Sequence, residues 1–407
     1  MRSGALSHVR VLDLSRVLAG PWATQALADL GAEVIKVERP VTGDETRGWG
    51  PPWLEARAGE ARTAAYFTAT NRGKRSITVD LSRPEGQAIV RRLAARSDVL
   101  VENFKVGTLA RNELDPADLR RENPRLVTCS ITGFGQDGPY RDRPGYDFLL
   151  QAMGGLMSVT GAPDEAPGGG PMKVGVALTD LLTGTYAAIA ILAALAHRDR
   201  TGEGQQVDLS LLDVQVAALA NQAQSFLVTG VPPPRLGNAH PSIVPYQAFA
   251  TADGHLVLAV GNDAQFARFC EVAGRPDLAR DPRFATNAAR VTARAELVAL
   301  LAPLLATRST AAWVAALEGA DVPCGPINDL AQVFADPQVR HRGLRVEIPH
   351  PGGGAIPAVR SPMRLSATPV SHEVPPPALG EHTGEVLSEL LGMSEGEVAA
   401  LRDRGVV

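Results

Sequence analysis

The first half of the chain switches repeatedly between the hydrophobic period of a strand and that of a helix. Residues 9–14 and 33–38 have the β-branched, alternating pattern of short strands. Between them, PWATQALADLG (21–31) predicts a helix with proline in its first turn and glycine at its end. Strand, helix and strand over about 30 residues predict a βαβ unit with parallel strands.

The same alternation continues beyond this unit. A helix is predicted over residues 83–95, and further strands over 76–80, 99–102, 125–131 and 206–211. The predicted fold class is therefore α/β, with a doubly wound parallel layer in the N-terminal half.

The strongest helical pattern covers Asp180 to His197, with Thr179 as the expected cap. A second helix is predicted over residues 214–228. Residues 230–245 then carry five prolines, which favours a domain boundary. We predict a large domain over 1–229, a smaller α+β domain over 230–330, and a C-terminal segment over 331–407 that returns to the large domain.

Composition narrows the classes of function. Apolar residues make up 45% of the 407 residues, too many for a disordered chain. Forty basic and 44 acidic residues give a net charge of −4, so no basic excess points to a nucleic acid or an anionic membrane as partner.

The three cysteines, Cys129, Cys270 and Cys324, form neither a CxxC motif nor a disulfide framework, which suits a reducing compartment. No metal site is expected from the scattered histidines. The N-terminus lacks a signal-peptide pattern, and the longest apolar run, 187–196, is too short for a membrane span. The expected location is the cytoplasm.

Common nucleotide and hydrolase motifs do not fit. Gly133, Gly135 and Gly138 match G-x-G-x-x-G, but the following PYRDRPGYD does not begin a helix. The first βα turn reads SRVLAGP and lacks the glycines of a dinucleotide-binding fold. Glu38 lies at the end of the second strand, where a ribose-binding acid would be, but an acid alone does not support a classical NAD site. A P-loop, a G-x-S-x-G elbow and an HExxH motif are all absent.

Asp180 stands at the start of the strongest helix, behind the Gly/Pro-rich stretch 159–175. It is either a first-turn acid that interacts well with the helix dipole, or a reactive carboxylate near backbone N–H groups that hold an oxyanion. Spacing alone leaves both interpretations open.

Several blocks together resemble the class III CoA-transferases of the CaiB/BaiF type, over essentially the whole chain. The blocks are RVLDLSRVLAGPWATQALADLGAEVIKVERP, NRGKRSITVDL, VENFKVG, SITGFGQDGPYRDRPGYD, GVALTDLLTG, HRDRTGEGQQVDLSLLD and VPCGPIND. Asp180 matches the nucleophile of the GVALTD-like block. The resemblance implies a Rossmann-like large domain built from both chain ends, a smaller inserted α+β domain and an interlocked homodimer.

A narrower resemblance is to the branch that uses succinyl-CoA and short dicarboxylic acids, such as the succinate–hydroxymethylglutarate CoA-transferases. It rests on LGNAHPSIVPYQAFATADGHLVLAVGN, VPCGPIND and PPPALGEHT. Formyl-CoA transferase has glutamine where this chain has Leu18, so a formyl-CoA/oxalate transferase is a less favoured alternative. A carnitine-type CoA-transferase is another alternative. A 2-methylacyl-CoA racemase would need a histidine where this chain has Tyr146.

The resemblance implies nucleophilic catalysis through an aspartyl anhydride and an aspartyl-CoA thioester, with CoA and small carboxylic acids as substrates and no tightly bound cofactor or metal. It also places candidate residues. The expected CoA contacts are Val17, Ala19, Arg39, Asn71, Lys74, Asn103, Phe104 and Arg111. The expected substrate contacts are Arg16, Tyr146 and His240, with Arg16 suited to a distal carboxylate.

Overall fold

The computed structural model describes residues 4–54, 62–350 and 354–407. The strands are β1 (Arg10–Asp13), β2 (Glu33–Glu38), β3 (Lys74–Thr78), β4 (Val99–Glu102), β5 (Val127–Thr132), β6 (Gln206–Ser210), β7 (Tyr246–Ala250), β8 (His255–Ala259), β9 (Cys324–Pro326), β10 (Arg345–Pro349) and β11 (Ala355–Val359).

The helices follow in chain order. They are α1 (Ala19–Asp29), α2 (Ala65–Thr68), α3 (Pro84–Ala94), α4 (Thr108–Arg111), α5 (Pro116–Glu122), α6 (Asp147–Met153), α7 (Leu156–Val159), α8 (Leu178–Thr201), α9 (Leu211–Ala218), α10 (Ala220–Thr229), α11 (Asp263–Val272), α12 (Pro276–Arg280), α13 (Asn287–Thr292), α14 (Arg294–Leu305), α15 (Thr310–Glu318), α16 (Leu330–Ala335), α17 (Pro337–His341), α18 (Thr383–Leu391) and α19 (Glu395–Asp403).

Six parallel strands form one sheet in the order β3-β2-β1-β4-β5-β6. This is the strand order of a doubly wound dinucleotide-binding fold, in which ligands bind at the carboxyl ends of the strands beside the central switch point. The switch point lies between β1 and β4. The predicted α/β class with a parallel sheet is confirmed.

Neighbouring residues on one strand face opposite sides of this sheet. Val11 packs with α1 and α8 on one side, and Leu12 packs with α3, α18 and α19 on the other. Because both faces are covered, the central strands carry buried apolar residues on both sides of the sheet.

The chain divides into two compact units. The first contains residues 1–156, 174–223 and 338–407, and the second contains 157–173 and 224–337. The second unit has the antiparallel sheet β7-β8-β9 and a core of its own around Phe266, Phe269 and Trp313. Compared with the predicted boundaries, residues 157–173 group with the smaller unit.

Two predictions about helix ends are wrong. Thr179 does not cap α8: the helix already begins at Leu178, and the Thr179 hydroxyl donates to Gln215 Oε1 at 2.6 Å. The single helix expected over 214–228 is broken at Ala220, whose φ is 45°, so that α9 and α10 are separate.

Helix α8 is long and apolar enough to cross a membrane by length and composition. Its residues Ala187, Ile191 and Leu195 are nevertheless buried in the core against the sheet and α1. One side of the helix is therefore buried inside the first unit, while Tyr186 and Ile189 are exposed.

Candidate active site

The start of α8 and the start of α1, which follows the turn after β1, lie against each other. The contact is made at Gly184, one helical turn after Asp180. A Cβ added there would come within 2.4 Å of the Ala19 carbonyl oxygen and 3.0 Å of the Trp22 ring. Only glycine permits this approach, which brings the helix of Asp180 directly against the first turn of α1.

Asp180 is a largely enclosed carboxyl at the first turn of α8. Burial, and then the negative charge of Asp147, raise its pKa from 3.8 to about 7. Within the part of the chain that the structure describes, no group donates a hydrogen bond to this carboxylate. Its oxygens are therefore available for reaction.

Asp147 supplies the cap that Thr179 does not. Its Oδ1 accepts the backbone N–H of Thr179 at 2.8 Å and that of Asp180 at 3.2 Å, and its Oδ2 accepts from Gln151 Nε2 at 2.7 Å. The first N–H groups of α8 are therefore already used. The oxyanion donors expected near Asp180 have to come from elsewhere, and the amino end of α1, which has no side-chain cap, is suited to that.

Two aromatic residues stand beside these carboxyls. Burial, followed by the charges of Asp180, Asp147 and Asp44, raises the pKa of Tyr66. The Tyr66 ring meets Trp49 edge to face, with 5.3 Å between ring centroids. Both rings are partly exposed, so they form an open aromatic wall near the candidate nucleophile.

The turn after β1 is held by side chains from other loops. Val17 has a φ of 70°, and its N–H is 3.3 Å from both carboxylate oxygens of Asp44. Asn103 accepts the N–H of Arg16 at 2.8 Å and donates to its carbonyl at 2.7 Å. Ala19 is buried in the core. Asn103 therefore supports the turn, and its side-chain amide is occupied.

The Arg16 side chain forms an ion pair with Glu45 and lies over the Phe104 ring, 5.1 Å from the ring centroid. Its Nε is buried with no hydrogen-bond partner in the described chain. Phe104 donates its own N–H to Glu102 Oε2 at 2.8 Å. The ion pair with Glu45 gives Arg16 a structural role, which is the alternative to binding a substrate carboxylate.

Lys74 and Asn71 are not surface groups. Lys74 has no exposed side-chain surface and donates to Asp13 Oδ2 at 3.0 Å, Asn71 Oδ1 at 2.9 Å and the Pro21 carbonyl at 3.1 Å. Burial opposes the charged form of Asp13, but Lys74 and Lys36 outweigh it and hold its pKa at about 2. Lys74 therefore links Asp13 of β1 to the first turn of α1, and Asn71 accepts one of its hydrogen bonds. The CoA contact of these two residues stays a prediction.

Arg39 and Arg111 have the exposure that a phosphate-binding cation needs. Arg39 follows β2 directly, and Arg111 ends α4, where its Nη2 donates to Thr108 Oγ1 at 3.0 Å. Neither forms an ion pair with a described acid. Both arginines can thus bind a phosphate without losing an ion pair to a described residue.

Tyr146 and His240 stand in different surroundings. Tyr146 is the 68% exposed residue just before α6 and Asp147. His240 belongs to the second unit, where its ring lies 5.2 Å from that of Tyr246 and its Nδ1 accepts the Ser242 N–H at 3.1 Å. Its local partners fit a structural residue.

Three residues of this site were missed from sequence alone: Asp147, Tyr66 and Asp44. Asp147 and Asp44 lie inside or close to blocks that carry the resemblance, but the nucleophile match gave no reason to single them out. Glu38, considered for a ribose, is buried and pairs with Arg47 at 2.7 Å. Among the residues that the structure describes, no group of three or more His, Cys, Asp or Glu is arranged to hold a metal.

The site therefore combines one unpartnered, largely buried carboxyl with a neighbouring acid, an aromatic wall and a rigid backbone turn. A carboxylate with a pKa near 7 is a better nucleophile than one near 4, yet is half ionised at neutral pH. This arrangement suits attack on an activated acyl group.

The comparison with known proteins agrees. The sequence model of CoA-transferase family III matches residues 6–383. The succinate–glutarate CoA-transferase of Agrobacterium fabrum is 54% identical over 389 residues, which are 96% of each chain. The succinyl-CoA:glutarate CoA-transferase of Mus musculus is 46% identical over 402 residues, 99% of this chain and 90% of that protein.

Solved structures give the same result. A CAIB/BAIF family protein from Brucella suis superposes with a TM-score of 0.85 at 48% identity, covering 96% of this chain and all of that one. The family resemblance found in the sequence is confirmed. With a family match over most of its length and relatives above 40% identity, the chain belongs to CoA-transferase family III and is a CoA-transferase.

Proposed function

We propose that this enzyme moves CoA from succinyl-CoA to a short dicarboxylic acid such as glutarate, with Asp180 as the nucleophile. The observation that carries the proposal is the Asp180 carboxyl itself: enclosed, free of hydrogen-bond donors in the described chain, and raised in pKa to about 7. The names of the similar transferases support the donor and the acceptor class.

The reaction proceeds in four exchanges at one carboxyl. The Asp180 carboxylate attacks the donor thioester carbonyl, forming an aspartyl anhydride and releasing CoA thiolate. The thiolate attacks the aspartyl carbonyl, which releases succinate and leaves an aspartyl-CoA thioester. The acceptor carboxylate attacks that thioester and again releases the thiolate. The thiolate then attacks the acceptor's acyl carbon, giving the new acyl-CoA and free Asp180.

The chain's own groups support these steps in distinct ways. The uncapped amino end of α1 is suited to an oxyanion or a CoA oxygen beside Val17 and Ala19. Arg39 and Arg111 are suited to the phosphates of CoA. Arg16 is suited to the far carboxylate of a dicarboxylic acid, which would take the place of Glu45 on the guanidinium. Tyr146 is proposed to line the acceptor.

A second copy of the chain is part of the proposal. Helices α8 to α10 expose large apolar side chains that a soluble monomer would not favour, including Ile189, Val216, Leu227 and Val228. A homodimer, interlocked as in the family, would cover them. Light scattering during size-exclusion chromatography should give twice the chain mass. The cytoplasm, where the free cysteines stay reduced, is the proposed location.

A transfer screen tests the function. Purified enzyme is mixed with succinyl-CoA and a panel of mono- and dicarboxylic acids, and mass spectrometry detects new thioesters and released succinate. New thioesters restricted to dicarboxylic acids would support the proposal. Transfer only from formyl-, acetyl- or carnitinyl-CoA would show that succinyl-CoA is not the donor. Loss of optical purity of a 2-methylacyl-CoA would indicate a racemase.

The Asp180→Ala variant tests the nucleophile in the same screen. It should fold and bind CoA but form no thioester and no covalent aspartyl-CoA adduct. Turnover at the wild-type rate would remove Asp180 from the mechanism.

A further inference from the structure

The backbone at Val17 is strained. Its φ of 70° lies in the left-handed region, which β-branched residues rarely adopt. Such a conformation persists only where surrounding contacts impose it, and it is commonly found at functional sites. The question is which groups impose it here.

Asp44 holds this residue directly. Both of its carboxylate oxygens lie 3.3 Å from the Val17 N–H. Asp44 is itself fixed, because its carboxylate accepts Thr46 N–H at 3.0 Å, Thr46 Oγ1 at 2.7 Å and Lys36 Nζ at 2.9 Å. The carboxylate can therefore neither rotate nor move away from the turn without breaking several hydrogen bonds.

Lys36 binds the backbone of the same turn at a second point. Its ammonium donates to the Ser15 carbonyl at 2.9 Å, and neither Lys36 nor Asp44 has exposed side-chain surface. One buried ion pair thus fixes the carbonyl before Arg16 and the amide after it. Asn103 fixes the amide and carbonyl of Arg16 itself.

Stability alone is a poor reason for such a pair. A buried ion pair loses the hydration of both charges, and well-packed apolar residues are often at least as stable in its place. What apolar residues cannot do is hold a backbone N–H and a carbonyl in a strained turn. The turn leads directly into Ala19, the first residue of α1, whose carbonyl lies against Gly184 in the helix of Asp180.

We propose that Asp44, locked by Lys36, is a positioning residue of the transfer reaction: it keeps the Arg16-Val17 backbone in the conformation that places the turn against the nucleophile and the bound thioester. The inference rests on the proposed transfer through Asp180. Asp44 acts through the Val17 backbone and touches no substrate.

The test combines Asp44→Asn with Val17→Gly. Glycine adopts a positive φ without strain, so in its background the turn needs less support. Asp44→Asn alone should lower kcat about tenfold or more, since small displacements at a reacting centre are costly. In the Val17→Gly background the same change should lower kcat by less than about threefold.

Asp29→Asn is the matched control. Asp29 also forms a buried ion pair, with Arg72 at 2.6 Å, but at the end of α1, far along the chain from the turn. It should lower thermal stability as Asp44→Asn does and leave kcat unchanged. Two results would overturn the proposal: an equal loss of kcat in both variants, or an Asp44→Asn effect that is the same with and without the Val17→Gly change.

Hydrogen exchange of residues 15–20 gives a second readout that needs no turnover. Exchange there should rise in Asp44→Asn and stay as in wild type in Asp29→Asn; unchanged exchange in both would overturn the positioning role. Thr46→Val, which removes one donor and keeps the ion pair, takes the place of Asp44→Asn if that variant does not fold, with a smaller rise expected. If the wild type transfers no CoA, the proposed function is wrong, but the role of Asp44 in the turn is not decided by that result. The hydrogen-exchange experiment still decides whether Asp44 holds the turn.

Discussion

Asp147 accepts the backbone N–H of Asp180 and, by its negative charge, opposes ionisation of the carboxyl on that same residue. Capping α8 with a carboxylate from α6 thus has two effects: it orders the helix start that carries Asp180, the proposed nucleophile, and it raises the pKa of the Asp180 carboxyl. These effects can be separated by substitution.

Asp147→Asn should move the acid limb of the pH–rate profile. The limb of kcat/KM reports the ionisation of Asp180 in the free enzyme, and its midpoint is expected near pH 7. Asparagine keeps an oxygen for the two N–H groups but removes the charge that raises the pKa of Asp180, so the midpoint should fall. Asp115→Asn, which changes the capping aspartate of α5, is the control and should leave the profile in place.

Asp180→Asn should stabilise the folded protein above neutral pH. The pKa of Asp180 is about 7 when folded and 3.8 as its ordinary value, so the folded state holds the extra proton between these values. Stability of the wild type therefore falls as the pH rises from about 4 to 7. Denaturant titration at pH 8 should show the variant more stable by up to about 4 kcal/mol, with the difference vanishing near pH 4. A constant difference across this range would contradict the raised pKa.

Gly184→Ala should harm both packing and turnover. The added methyl group would meet the Ala19 carbonyl at 2.4 Å, so α8 and the start of α1 must separate. The expected loss is about 1–3 kcal/mol in unfolding free energy, with a fall in kcat as well. Gly396→Ala in α19 is the matched control, since its Cβ would have no neighbour within 4 Å; it should be neutral or slightly stabilising.

The predicted CoA-binding cations should separate into two groups. Lys74→Gln leaves Asp13 buried without its partner and should cost about 3–5 kcal/mol in stability. Arg111→Gln and Arg39→Gln, both at exposed positions, should leave the melting temperature unchanged and raise KM for succinyl-CoA. Thermal melts and initial rates measured together decide between the two roles. A stable Lys74→Gln with a raised KM would restore the CoA contact.

Arg16→Gln should affect acceptors unequally. If the guanidinium holds a distal carboxylate, KM for glutarate should rise several-fold more than KM for butyrate, which has one carboxylate. The ion pair with Glu45 is lost in either case, so it cannot produce the difference. Equal changes for both acids would leave Arg16 a structural residue.

The sheet could be predicted from the sequence because its strands are local patterns. The bounds of β2 and β4 agree with the prediction at every residue, and β1 and β6 differ only at their ends. Asp180 could be placed through the block around it. These features depend on neighbouring residues or on a stretch of sequence that is itself distinctive.

The parts that could not be predicted depend on partners distant in the chain. Thr179 was the natural cap for α8 by position, but Asp147 lies 32 residues earlier and reaches the same N–H. Lys74 has the appearance of a surface cation until Asp13, 61 residues away, is known to be beside it. A local sequence pattern does not show that two charged residues far apart in the chain are buried against each other.

The side chains of Asn103, Asp44 and Lys36 hold the β1–α1 turn through hydrogen bonds to its backbone. The Arg16 side chain makes none of these hydrogen bonds and contacts Glu45 and Phe104 instead. A substitution at position 16 would therefore leave every hydrogen bond that fixes the turn in place, so the proposed acid-binding side chain is separable from the backbone that carries it.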